Sequence, residues 1–252
     1  MQDRLGVCAT EVFLDGQGTL AGNARRIEAA RRIIEAHTWG AVQLVALPAG
    51  YLRAETEKTV REHAAPLVDV ARRAGLAVLF GVDSEPLKAM SSSRVREGTL
   101  PSFLIGWAPG MEDFEVSRQR VRSRNDASAP VDVRPRVLRV GRFDVAPLIG
   151  GEIFHDGIRD ALVPARPEVV MLCAHLSAGS KHWAGQDALR SRGLCSVRSV
   201  HSATPVTQCL CAPRGYRLSN MAMKEADIFA FTYVIDEEDK GVDELVREHV
   251  PL

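Results

Sequence analysis

The chain has 252 residues, 46% of them hydrophobic, enough to bury a large core in one big domain or two modest ones. Lysine plus arginine balances aspartate plus glutamate at 32 each, which argues against a general nucleic-acid or membrane-surface binder. No apolar run is long enough to span a membrane and the N-terminus lacks a signal-peptide core, so a cytoplasmic protein is expected.

In chain order, Leu5 to Phe13 reads as a first strand. Asn23 is placed to cap a helix in which Ile27, Ala30, Ile34 and His37 recur at helical spacing. Gly40 marks its stop, and Val42 to Leu47 is a buried strand ending at Pro48. A second helix is predicted over Glu55 to Arg73, with Pro66 kinking or restarting it and Gly75 closing it. Leu76 to Gly81, Phe103 to Trp107, Val137 to Ile149, Arg166 to Ala174, Val197 to His201 and Ile228 to Ile235 read as further strands. The alternation of strands and helices implies a layered α/β fold. Asn125 to Pro135 reads as an exposed loop, and the acidic tail from Asp236 is expected on the surface.

The five cysteines, Cys8, Cys173, Cys195, Cys209 and Cys211, form an odd set lying mostly in apolar runs. Buried thiols in a reducing compartment fit better than a disulfide framework. No spacing suggests a metal or cofactor, and neither Gly16-Gln17-Gly18 nor Gly179-Ser180 has the context of a phosphate loop.

The most informative string is Ala146-Pro147-Leu148-Ile149-Gly150-Gly151-Glu152-Ile153-Phe154-His155. It resembles the nucleophile turn of the nitrilase, or carbon-nitrogen hydrolase, superfamily, with glycine where the family carries cysteine. The likeness extends over most of the chain: the helix from Asn23, Leu44 to Pro48, Gly81-Val82-Asp83, Pro109-Gly110, Ile149 to Asp160, and Val169 to Ala178. The resemblance implies a single domain over residues 1–252, built as a four-layer α-β-β-α sandwich. It also implies pairing into a homodimer or larger homo-oligomer.

The family's chemistry uses a glutamate base, a lysine and the cysteine. Here the residue after Pro48 is Ala49, and Gly150 stands at the cysteine position. Either Gln119 or Arg120 stands near the lysine position, and no lysine occurs between Lys88 and Lys181. Glycine offers no nucleophile and alanine no base, so the resemblance implies a degenerate hydrolase. Such a protein would bind a small molecule, regulate, or form complexes, using a pocket near Ala49, Gln119, Gly150 and Gly151.

The other candidates each carry two readings. Cys173 and His175 share one strand face, and are either structural or a relocated covalent pair in an active amide or nitrile hydrolase. Glu152 is an orienting acid or that enzyme's base, and His155 a helix cap or a pocket residue. Arg118, Arg120, Arg122 and Arg124, if on a strand, share one face. That face is either solvated or a docking surface for an acidic partner or phosphate-bearing ligand.

Overall fold

The computed structural model describes residues 4–13, 22–38, 41–84, 102–121, 130–175, 180–202, 208–212, 215–219, 227–236 and 242–251. Fourteen strands and four α-helices are present among them. The first half carries β1 (Arg4–Phe13), α1 (Asn23–Ala36), β2 (Val42–Ala46), β3 (Leu52–Ala54), α2 (Val60–Ala74), β4 (Ala77–Ser84), β5 (Ser102–Trp107) and β6 (Glu115–Arg118). The second half carries β7 (Leu138–Val140), β8 (Phe143–Ile149), α3 (Asp156–Ala165), β9 (Val169–Ala174), α4 (Ser180–Arg190) and β10 (Ser196–Ser202). Then follow β11 (Gln208–Ala212), β12 (Gly215–Ser219), β13 (Asp227–Asp236) and β14 (Val242–Pro251).

The strands run in the order β6-β5-β4-β2-β1-β10-β9-β8-β7. β4 and β9 are buried along their length, and β9 reads as an unbroken apolar run, as a parallel strand covered on both faces does. β1 is the fold's pivot. It pairs parallel with β2 through Gly6 to Ala9 and with β10 through Glu11 to Phe13, while β13 runs antiparallel along it from Arg4 to Val12. At this change of partner the sheet curls, so that its two halves stack face to face.

Three cores result. Ile33, Ile34, Leu67, Val68, Phe80 and Trp107 fill the space between α1 and α2 and the outer face of the first half. Leu44, Leu79, Leu104, Phe143, Met171 and Tyr233 fill the space between the halves. Leu148, Ile158, Leu162, Leu172 and Leu189 pack α3 and α4 on the second half. Helix, sheet, sheet and helix are therefore four layers, the architecture that the resemblance implies.

Several local expectations need correction. Asn23 does not cap α1, because Gly22 takes that position. The Asn23 amide instead donates to the Arg53 carbonyl at 2.7 Å and accepts from Arg53 N at 3.0 Å, tying the helix to β3. Pro66 neither ends nor restarts α2; it lies on the exposed side, where water can serve the carbonyl left without a donor. The tail also carries a strand that the sequence reading did not assign, since Val242–Pro251 pairs antiparallel with β13. Gly16-Gln17-Gly18, Gly40, Gly179 and the span 122–129 lie outside the described residues.

Candidate functional site

The site forms where β4, β8 and β9 end. Gly150 follows the last residue of β8 and opens a short 3₁₀ turn over Gly150–Phe154. Its φ is +54°, in the left-handed region that side chains resist. A Cβ built there would overlap the Gln119 amide nitrogen and lie 3.3 Å from His175 Nδ1. Gln119 and Gly150 are thus fitted to one another, the amide occupying the space into which a residue-150 side chain would project.

Ala49 flanks the same strand end. Its N–H donates to the Ala174 carbonyl at 3.2 Å, and Pro48 accepts from Gly81 N at 2.9 Å. A Cβ on Gly81 would come within 2.5 Å of Ala49 Cα, so glycine at 81 lets the loop lie against β4. From behind, the buried Arg26 of α1 donates to the carbonyls of Gly50, at 3.0 Å, and Tyr51. Burial first, and Arg53 second, lower the Arg26 pKa to about 10, still charged at neutral pH. The Tyr51 hydroxyl returns a bond to the Arg26 carbonyl at 2.6 Å.

Gln119 is 7% exposed; its backbone N–H donates to Ser102 O at 2.8 Å and its amide to Val121 O at 2.7 Å. Its Oε1 finds no donor among the described residues.

His175 lies one residue past β9, with Nε2 3.0 and 3.2 Å from the two oxygens of Asp83 at the end of β4. Burial, the largest influence, acts to raise the Asp83 pKa, but His175, with smaller help from Ser102 and His201, holds the carboxyl below the usual aspartate range. An ionised Asp83 accepts the Nε2 proton, and Nδ1 lies on the Gly150 side of the ring. Nearby, His201 of β10 is buried and neither ring nitrogen has a partner among the described residues. Burial chiefly, with Arg26 and His175 adding to it, lowers its pKa well below the ordinary value.

The remaining sequence candidates fall elsewhere. Glu152 is fully buried. It accepts from Arg120 N at 2.8 Å and Arg136 Nη1 at 2.9 Å, with Arg120 Nε at 3.2 Å and Ile149 N at 3.4 Å. Gly151 is buried in the turn, and His155 caps α3 by accepting from Ile158 N at 3.3 Å. Cys173 is a fully buried thiol in the core between the sheets, with its pKa pushed up to about 12 by burial. Cys173 thus lies in the core between the sheets, His175 against Asp83, and Glu152 against Arg120 and Arg136.

The arginine row also needs correction. β6 ends at Arg118, so no strand carries Arg118 and Arg120 on one face. Arg118 is exposed and pairs with Glu57 at 3.1 Å, whereas Arg120 turns inward to Glu152. Arg122 and Arg124 lie outside the described residues. Sequence reasoning did not single out Asp83 or His201 as site residues; an acid closing the apolar run before it was the available signal for Asp83. Among the described residues no cluster of His, Cys, Asp and Glu could hold a metal ion, and no helix is long and apolar enough to cross a membrane.

No family model matches the chain, and no curated protein does. Solved structures do. Nit3 of Saccharomyces cerevisiae, described as a member of branch 10 of the nitrilase superfamily, superposes with a TM-score of 0.67 at 11% identity, over 94% of this chain and 92% of that one. An amidase from Nesterenkonia sp. AN1, described as a nitrilase-superfamily member and solved as a cysteine-to-alanine variant, gives 0.62 at 14% identity, over 94% and 92%. Another structure of an amidase from Nesterenkonia sp. gives 0.59 at 14% identity, over 96% and 89%. The chain has the nitrilase-superfamily fold, shared along nearly its whole length at low sequence identity.

Proposed function

We propose that this protein is a nitrilase-fold binding or regulatory subunit that has lost cysteine-dependent hydrolysis. The observation that carries this reading is the Gln119 amide beside Gly150, in the space where a nucleophilic side chain would project. With Ala49 supplying no base, the pocket holds neither the thiol nor the proton acceptor of that reaction. The Gln119 Oε1, buried and without a donor, suits a small ligand carrying an N–H or O–H group, such as a primary amide. In this reading the protein acts in the cytoplasm as a homodimer or larger homo-oligomer.

The test is ligand-observed NMR with propionamide and acrylamide on the native protein and on Gln119→Leu. Saturable binding without turnover, lost in Gln119→Leu, supports the reading. Turnover by the native protein overturns it.

A second reading is favoured by one observation, the Asp83–His175 pair. A histidine oriented by a buried carboxylate, with its other nitrogen toward the pocket, is arranged as a general base. In that case water attacks a carbonyl carbon, its proton passes to His175 Nδ1, and the same proton goes on to the leaving group. Hydrolysis that persists in Cys173→Ser and disappears in Asp83→Asn would establish this reading in place of the first.

A further inference from the structure

A groove of about 490 Å³ lies beside the two arginines, Arg120 and Arg136, that hold Glu152. It is lined by Ser117, Arg118, Arg120, Asp132, Arg134 and Arg136, with Pro135 at its edge. None of Ala49, Gly150, Gly151 and His175 lines it, so it is separate from the site described above. We propose that this groove is a binding site for a small phosphate-bearing ligand.

The walls are built and held. Arg120 donates to the carbonyls of Asp132, at 3.0 Å, and Arg134, at 2.7 Å. Arg136 donates to the Arg118 carbonyl at 2.7 Å. Both guanidiniums are anchored on the buried Glu152 and are themselves only 12% and 15% exposed. The segments on either side of the groove are thereby stitched together before any ligand arrives, which lowers the ordering cost of binding.

The charge is unbalanced toward cations. Four guanidinium groups face three acids: the buried Glu152, shared by two of them, and the exposed Asp132 and Glu57. Burial lowers the Arg136 pKa, and the neighbouring Arg120 charge adds to this against the opposing pull of Glu152. An anion entering the groove relieves that repulsion. The two arginines available to it are Arg118 and Arg134, whose present partners are surface pairs with Glu57 and Asp132. The exposed single contact of Arg118 with Glu57 contributes little and is readily exchanged. Arg134 is held by both oxygens of Asp132 and presents its remaining face to a ligand. Guanidinium geometry matches phosphate oxygens two at a time, and the Ser117 hydroxyl adds a donor at the same rim.

Shape decides between a small ligand and a protein partner. The volume is that of a small-molecule cleft. Among the described residues the lining carries no aromatic or aliphatic anchor of the kind that dominates protein interfaces.

The experiment is calorimetric titration of the intact chain with inorganic phosphate, pyrophosphate and a poly-glutamate peptide. Native protein is compared with Arg118→Ser/Arg134→Ser and with Glu57→Gln, and thermal melts are run alongside. Saturable binding of pyrophosphate is expected, tighter than phosphate. The double variant should bind at least about tenfold more weakly, the loss of one or two charge-assisted hydrogen bonds, with its melting temperature nearly unchanged. Glu57→Gln, which releases Arg118 to the ligand, should bind about two- to fivefold more tightly. Absence of saturable phosphate and pyrophosphate binding overturns the proposal, as does binding that the arginine substitutions leave unchanged. Peptide binding tighter than pyrophosphate also overturns it, in favour of a protein partner. These readouts do not involve Gln119, so failure here is distinct from failure of the pocket reading.

Discussion

Replacing Gly150 with alanine tests how tightly the altered pocket is fitted. Gly150 has φ +54°, and an L-residue forced into that region costs about 1–2 kcal/mol. The new Cβ would also overlap the Gln119 amide nitrogen. That amide ends a flexible side chain and can swing aside, but only by releasing its 2.7 Å bond to the buried Val121 carbonyl. A buried carbonyl left without its donor costs about 1–3 kcal/mol. Gly150→Ala should therefore destabilise the protein by roughly 2–5 kcal/mol, read as a lowered midpoint in urea at unchanged slope. In a Gln119→Ala background the overlap and the bond are already gone, so only the backbone strain of about 1–2 kcal/mol should remain. The two substitutions should then be non-additive by about 1–3 kcal/mol, the lost carbonyl bond counted once rather than twice, the double variant being more stable than the sum of the singles implies. Strictly additive costs, or a Gly150→Ala loss below about 0.5 kcal/mol, would refute the fitted arrangement of Gln119 and Gly150.

Glu152→Gln leaves two guanidiniums around a buried neutral amide and should cost about 3–5 kcal/mol by chemical denaturation; a loss under about 1 kcal/mol would contradict the structural role given to this acid. His201 has a folded-state pKa below its unfolded value, so the unfolded chain takes up a proton that the folded chain refuses. Stability should accordingly fall as pH drops below about 6.5, and His201→Gln should flatten that slope in denaturation measured across pH. Asp83 is likewise lowered, so its contribution is present above the usual aspartate value and lost as pH falls further; Asp83→Asn should remove that more acidic part of the loss. Site-resolved mass spectrometry after iodoacetamide treatment should find Cys173 unlabelled in the native protein and labelled after unfolding, and rapid native labelling would contradict its burial.

The strands of the core were legible because they are covered on both faces, so their apolar runs do not depend on register or partner. Gly75 as a helix stop was legible for a local reason, since the structure needs a left-handed residue there, with φ +69°. Long-range pairings were not legible. Asp83 and His175 are 92 residues apart, and only the closing of β4 and β9 onto one end of the sandwich joins them. Arg120 alternates with Arg118 in sequence, but β6 stops at Arg118 and the chain turns inward to meet Glu152. The strand over Val242–Pro251 was hidden by its charges, because an edge strand can keep polar side chains while its backbone pairs with β13.

The account rests on a nitrilase fold without thiol chemistry, and the most direct measurement is turnover of a panel of small amides and nitriles by the purified native protein. Rates indistinguishable from buffer are predicted, because Ala49, Gln119 and Gly150 supply neither base, cation nor nucleophile. Ammonia release above buffer that is abolished by Cys173→Ser would contradict the account and restore covalent hydrolysis to this fold.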